Sequence, residues 1–192
     1  MKSSKDPATR SFATQQKWRD WLEKNHAASR GIFLRIFKKA SGKTTVTHEQ
    51  ALEEALCFGW IDGVRKSYDE ISFLQKFTPR QKRSIWSKRN QTIVARLIDE
   101  GRMTDAGVAE IDRAKKDGRW DRAYDSPKNM DVPADFLKEL KNDKKAYEFF
   151  QTLNKQNKFA IAFRLHNAKR PETRERRMRD FLERLARGEN IV

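Results

Sequence analysis

Between Ile71 and Ile98 the chain places seven basic residues, Lys76, Arg80, Lys82, Arg83, Lys88, Arg89 and Arg96, and no acidic one. Solvated protein surfaces usually intersperse both signs, because like charges repel and opposite neighbours relieve the repulsion. An acid-free run therefore points to an anion site, against the plain reading of a soluble basic face. Trp86, Ser87 and Asn90 fall inside the same run, adding a ring plane and hydrogen-bond donors of the kind used on phosphates and unpaired bases. The expected anion-binding set is thus Lys76, Arg80, Lys82, Arg83, Trp86, Ser87, Lys88, Arg89 and Asn90.

A second constellation is Cys57-Phe58-Gly59-Trp60-Ile61-Asp62-Gly63. Its glycines allow close backbone approach, Cys57 supplies a thiol, Asp62 a carboxylate, and Phe58 and Trp60 an aromatic wall. With Arg80 gripping an acidic ligand, Cys57, Phe58, Trp60 and Asp62 form a candidate small-molecule pocket. The alternative is structural: Cys57 as a small buried hydrophobe closing a helix, with Asp62 paired to Arg65 or Arg80. A nucleophilic cysteine needs a neighbouring base, and nothing in the spacing fixes His48 or His166 beside Cys57, so no catalytic residue is assigned. His26, His48 and His166 share no metal-ligand spacing, and a single cysteine excludes both a Cys cluster and an internal disulfide. Neither a Gly-x-Gly-x-x-Gly nor a Walker A pattern occurs, so no metal and no cofactor are expected.

A third basic group lies near the C-terminus: Arg174, Arg176, Arg177, Arg179, Arg184 and Arg187 outnumber Glu175, Asp180 and Glu183. Arg176 with Asp180, and Arg179 with Glu183, stand four residues apart and could pair along a helix. Met178, Phe181, Leu182 and Leu185 give that helix an apolar face, which favours packing on a bundle over lying on a membrane.

These groups have to be positioned by a chain of 192 residues with 42 Lys plus Arg against 27 Asp plus Glu, a formal charge of +15. The length allows one domain or a small domain with an appendage. Hydrophobic residues are only 37%, but 12 Phe and 5 Trp supply enough bulk to build a core. Lacking an apolar run of about 18 residues and an apolar segment within Met1 to Arg10, the chain is expected in the cytoplasm without a membrane span.

Residues 1–13 read as a flexible arm. Thr14 caps a helix carrying Trp18, Trp21 and Leu22, and Ile32 to Phe37 reads as a central strand. Thr47 and Gln50 fit a capping box for a helix lined by Ala51, Leu52, Ala55 and Leu56, broken by Gly59 and Gly63. Strands are expected over 64–67 and 71–77 as an antiparallel hairpin ended by Pro79. Ser87 and Thr104 are placed as caps of two further helices, the first with Ile93, Val94, Leu97 and Ile98, the second with Val108 and Ile111. A polar stretch from Ser126 to Pro133 reads as a linker, followed by four short amphipathic helices built on Phe136, Phe150, Ile161 and Phe181.

The segment Ala55-Leu56-Cys57-Phe58-Gly59-Trp60-Ile61-Asp62-Gly63 resembles the bacterial YdeI/OmpD-associated family, also labelled bacteriocin-protection proteins. Phe77-Thr78-Pro79-Arg80, Ser84 to Asn90, Gly101-Arg102-Met103, Asp117-Gly118-Arg119-Trp120 and Ala168 to Arg177 are similar to further blocks of that family, so the resemblance runs from about residue 12 to 190. It implies an α+β N-terminal domain with a helical C-terminal unit, and it carries over no catalytic residue.

The resulting expectation is an α+β fold with a small mixed or antiparallel sheet and a C-terminal helical bundle. It is divided into a 1–13 arm, a 14–126 α+β domain and a 127–192 helical unit. The expected activity is non-enzymatic binding of an anionic polymer, nucleic acid first. The alternatives are a small-molecule site at the Cys57 to Gly63 turn, and a protective protein acting through a protein or envelope partner.

Overall fold

The computed structural model describes residues 8–125 and 130–192. The chain divides into two compact units, one ending at Ala123 and the other running from Tyr124 to Val192. Residues 1–7 of the expected arm and 126–129 of the expected linker lie outside the described residues. The rest of the arm belongs to the fold. Thr9–Arg10 (β1) pairs in parallel with Ile32–Phe37 (β2), and Phe12 packs against Trp18 with ring centroids 5.3 Å apart.

In the first unit, Gln15–Asn25 (α1) starts at Thr14, whose hydroxyl accepts from the Lys17 N–H. His48–Cys57 (α2) opens with the full capping box, Thr47 accepting from the Gln50 amide while the Gln50 side chain accepts from the Thr47 N–H. Two strands follow, Trp60–Asp69 (β3) and Ser72–Pro79 (β4), in an antiparallel hairpin. The hairpin is longer than its sequence pattern suggests. Trp60, Ile61 and Asp62 are strand rather than break, because only Gly59 bends the chain, at φ +71°; Gly63 sits inside β3 beside an irregularity in the register. The sheet is mixed, in the order β1-β2-β4-β3, so β2 is central as its apolar run predicts.

Side-chain alternation along the strands separates two faces. Ile32, Leu34, Ile36 and Phe77 join Trp18, Leu22, Leu52, Leu56, Val94 and Leu97 in one buried core. The opposite face carries Phe33, Arg35, Phe37, Lys66, Tyr68 and Lys76; there the Arg35 guanidinium lies between the Phe37 and Tyr68 rings, at 4.6 and 4.9 Å from their centroids. Arg35 also holds Asp69 at 2.6 Å and donates to Ser72 at 2.9 Å, which ties β2 to the hairpin tip.

Lys88–Asp99 (α3) is capped by the Ser87 hydroxyl, and Asp105–Lys116 (α4) follows. Thr104 occupies the N-cap position of α4, as expected, but its side chain makes no capping hydrogen bond. Its hydroxyl donates instead to the Cys57 carbonyl at 2.7 Å, so the residue is used to dock α4 on the end of α2. The approach is close: a Cβ on Gly107 would lie 2.3 Å from the Cys57 carbonyl oxygen. Two expected apolar-face positions, Ile98 and Val108, are exposed, because the stripes on α3 and α4 are narrower than the sequence suggests.

The second unit is helical: Ala134–Leu140 (α5), Lys144–Thr152 (α6), Lys155–His166 (α7) and Pro171–Ala186 (α8). Asp143 and Asn154 cap α6 and α7 through side-chain oxygens. Phe136, Leu140, Phe150, Ile161, Leu165, Phe181 and Leu185 form its core, each fully buried side chain contributing on the order of 1.5–3 kcal/mol. Asn157 is buried and its Oδ1 accepts from the Ile191 and Val192 amides at 2.7 and 3.0 Å, fastening the C-terminal residues to the bundle. No helix among the described residues is long and apolar enough to cross a membrane.

Candidate anion-binding site

The Cys57 turn is built into the core. Cys57, Phe58 and Trp60 are 0%, 4% and 1% exposed, and the Trp60 indole N–H donates to the His26 carbonyl. Burial, with the Glu54 carboxylate nearby, pushes the Cys57 thiol up to about 11, so at neutral pH it is a protonated, inert packing group. Asp62 pairs with neither Arg65 nor Arg80; its Oδ2 lies 3.2 Å from His48 Nε2, across from the first turn of α2. None of the five residues expected around that turn lines the cleft described below; Asp62 meets it only indirectly, through its contact with His48.

The basic run divides between structural and exposed positions. Arg80 is 5% exposed, lies over the Trp86 ring at 3.6 Å and donates to the Ile85 carbonyl. Trp86 is itself 1% exposed, set between Arg80 and Trp120, which leaves no ring surface for a base to stack on. Ser87 and Asn90 are buried in the cap of α3, where the Ser87 hydroxyl accepts from the Asn90 N–H. Lys76 stands on the open sheet face over Phe33, Lys82 and Arg83 lie exposed in the loop after β4, and Lys88 and Arg89 lie in the first turn of α3. Arg89 comes within 4.0 Å of Glu49. Alternation and capping thus send these cations to separate surfaces.

Other arginines are committed to carboxylates. Glu54, 3% exposed, is held by Arg19 at 2.7 Å and Arg102 at 2.6 Å, while Glu53 and Glu100 take Arg96 and further contacts from Arg102. Arg119 is 5% exposed and locked to Asp117 and to the Ser84 carbonyl.

What remains collects at a place outside the expected set. A cleft of about 720 Å³ lies at the end of β2, and it is lined by Lys38, Lys39, Lys43, Arg65 and His48 together with Thr44, Thr45 and Thr47. Ile36, Phe37 and Phe73 form its apolar floor. Three features put the charges there. The β2 strand ends at Phe37 and a single 3-10 turn, Lys39–Ser41, swings the chain over the sheet end. Pairing of Arg65 with Gln75 and of Phe73 with Ile36 brings β3 and β4 to the same place. Ring contacts then orient the cations, with Arg65 3.6 Å above Phe73 and the Lys43 ammonium 5.1 Å above Phe37. Lys38 also donates to the Glu70 carbonyl at 2.8 Å, which holds its ammonium at the rim.

No carboxylate lines this cleft. Its lysines and arginine therefore add their potentials over a low-dielectric floor, an arrangement that concentrates anions. Sequence inspection passes over the set because Lys38, Lys39 and Lys43 are separated from Arg65 by α2, and each alone reads as an ordinary surface charge. Among the described residues no group of three or more His, Cys, Asp or Glu side chains is placed to hold a metal ion.

A family model described as a domain of unknown function, DUF8412, matches residues 10–110. A second, described as bacteriocin-protection, YdeI or OmpD-associated, matches residues 129–188. No curated protein and no solved structure matches the chain. The resemblance expected from about residue 12 to 190 is thus found in the C-terminal part, and the Cys57 to Gly63 block lies in the region matched by DUF8412. The chain belongs to the DUF8412 family, whose model spans more than half of it, while its C-terminal part is similar to the bacteriocin-protection, YdeI or OmpD-associated family over residues 129–188.

Proposed function

We propose that the first unit acts by binding an anionic polymer, nucleic acid first, through the cleft between the end of the sheet and residues 38–48. One observation carries this reading: four cationic side chains, Lys38, Lys39, Lys43 and Arg65, line one cleft with no carboxylate among its lining residues. Lysine and arginine that neutralise backbone phosphates release condensed counterions, so such a cleft binds without sequence readout and weakens as salt rises. Thr44, Thr45 and Thr47 offer hydroxyls to phosphate oxygens, and the Phe37 and Phe73 floor keeps the cations partly dehydrated. The inert state of Cys57 and its place in the core favour binding over thiol chemistry.

The test is fluorescence anisotropy with labelled oligonucleotides of generic sequence, single- and double-stranded, at low salt. The native chain is expected to bind both and the Lys39→Glu/Lys43→Glu variant to lose at least tenfold in affinity. Absence of binding at low salt, or full affinity in that variant, overturns the proposal.

A further inference from the structure

Eight arginines fall between residues 164 and 187, and packing sorts them. Arg174 grips Asp135 with two nitrogens at 2.6 and 2.9 Å, and Arg187 grips Glu189 at 2.8 and 3.2 Å. Arg184 turns to Glu189 and to the carbonyls of Asn190 and Ile191. These three fasten the bundle. The four-residue pairs that the sequence offers, Arg176 with Asp180 and Arg179 with Glu183, do not close to ion-pair distance among the described residues, whose pairs in this region are those of Arg174, Arg184 and Arg187.

Arg176 and Arg177 of α8 line a pocket of about 390 Å³ with Arg164, which projects from the last turn of α7. Asp180 and the buried Phe181 complete it. Arg177 donates to the Arg164 carbonyl at 2.5 Å, which stretches its guanidinium across the seam between the two helices. The guanidinium groups of Arg164 and Arg176 make no hydrogen bond or ion pair with any described residue, so their planar donor forks stay available to a ligand. The lining side chains carry three positive charges and one negative, a surplus of two.

From this geometry we propose that the Arg164, Arg176 and Arg177 pocket is a second anion site, one that takes a phosphoryl dianion. A surplus of two matches a phosphate monoester or hydrogen phosphate at neutral pH, whereas a carboxylate would leave one charge uncompensated. Guanidinium forks meet paired phosphate oxygens with two parallel hydrogen bonds, a geometry that an ammonium does not offer. The site uses no residue of the cleft in the first unit and stands whether or not that cleft binds a polymer.

The experiment follows the arginine side-chain Nε–Hε resonances of the ¹⁵N-labelled full chain during titration with phenyl phosphate, inorganic phosphate and acetate at low ionic strength. Saturable shifts at Arg164, Arg176 and Arg177, with Arg174 and Arg187 unmoved and acetate at least tenfold weaker, support the site. Tighter binding of phenyl phosphate would assign it to monoesters; equal binding of inorganic phosphate would assign it to the free ion, with the phosphoryl site supported in both cases. Arg164 and Arg176 are exposed, so the Arg164→Gln/Arg176→Gln variant keeps the bundle, which unchanged Arg174 resonances would verify, and should lose at least tenfold in phosphate affinity. Lys39→Ala/Lys43→Ala should lose none. Equal affinity for acetate, linear shifts shared by all the arginines, or full affinity in the Arg164→Gln/Arg176→Gln variant overturns the proposal.

Discussion

Salt dependence offers the sharpest test of the cleft, because the structure sets its size. Four cations line the cleft, and for single-stranded nucleic acid each phosphate neutralised contributes a slope of about −0.7 in log K against log salt, so the expected slope is about −2.8. Raising salt fourfold, from about 50 to about 200 mM, should then weaken binding roughly 50-fold. Removing two ammonium groups by Lys39→Ala/Lys43→Ala should halve the slope to about −1.4, and the same salt step should cost only about sevenfold. The control is Lys82→Ala/Arg83→Ala, which removes two exposed cations of the acid-free run that lie outside the cleft; its slope should stay near that of the native chain. Anisotropy titrations at four or five salt concentrations measure all three slopes. The reasoning is refuted if the two double variants lose slope equally, since the charge would then act as a diffuse cloud rather than as a gathered site. A native slope near zero would refute it as well.

Three further expectations concern the frame that holds the cleft. Gly107→Ala forces a Cβ to within 2.3 Å of the Cys57 carbonyl oxygen where α4 crosses α2; overpacking of this kind costs on the order of 1–3 kcal/mol, and a denaturant midpoint equal to that of the native chain would contradict the packing described. Glu54→Ala leaves Arg19 and Arg102 without their shared carboxylate. Because both guanidiniums are about a quarter exposed and can rehydrate, the loss should be on the order of 1–3 kcal/mol rather than the larger cost of a fully buried orphaned charge, as chemical denaturation would show. The Cys57 thiol, at about 11, should react with a thiol reagent at pH 8 roughly a hundredfold more slowly than an exposed cysteine, and faster labelling without unfolding would refute its burial. Its raised value also has a stability consequence. The unfolded thiol ionises first as pH rises, so the contribution of Cys57 is intact below its ordinary value and is lost between about 9 and about 11; Cys57→Ala should flatten that part of the stability curve.

Much of the architecture can be read directly from the chain, because the signals are local. The Thr14 and Ser87 caps, the Thr47–Gln50 box, the apolar run of β2 and the 3.6-residue spacing around Phe136, Ile161 and Phe181 involve residues within a few positions of one another. Their physics needs no distant partner. The hairpin is legible in kind but not in extent, since Trp60 to Asp62 take on strand geometry only by pairing with Phe77 to Pro79. Thr104 carries a cap signature and yet serves as a docking donor, because the Cys57 carbonyl lies within its reach.

The proposed anion sites belong to the opposite case. Composition and charge establish a basic, folded α+β protein with a helical C-terminal part, and they single out residues 71–98 as acid-free. Whether a given cation faces solvent, a ring or a carboxylate depends on strand register and helix packing, which bury Arg80 and Trp86, assign Arg96, Arg102 and Arg174 to glutamates and an aspartate, and bring Lys38, Lys39 and Lys43 together with Arg65. Like charges gather in space only when pairing between distant segments forces them to, and a linear chain does not record which of its charges will be neighbours.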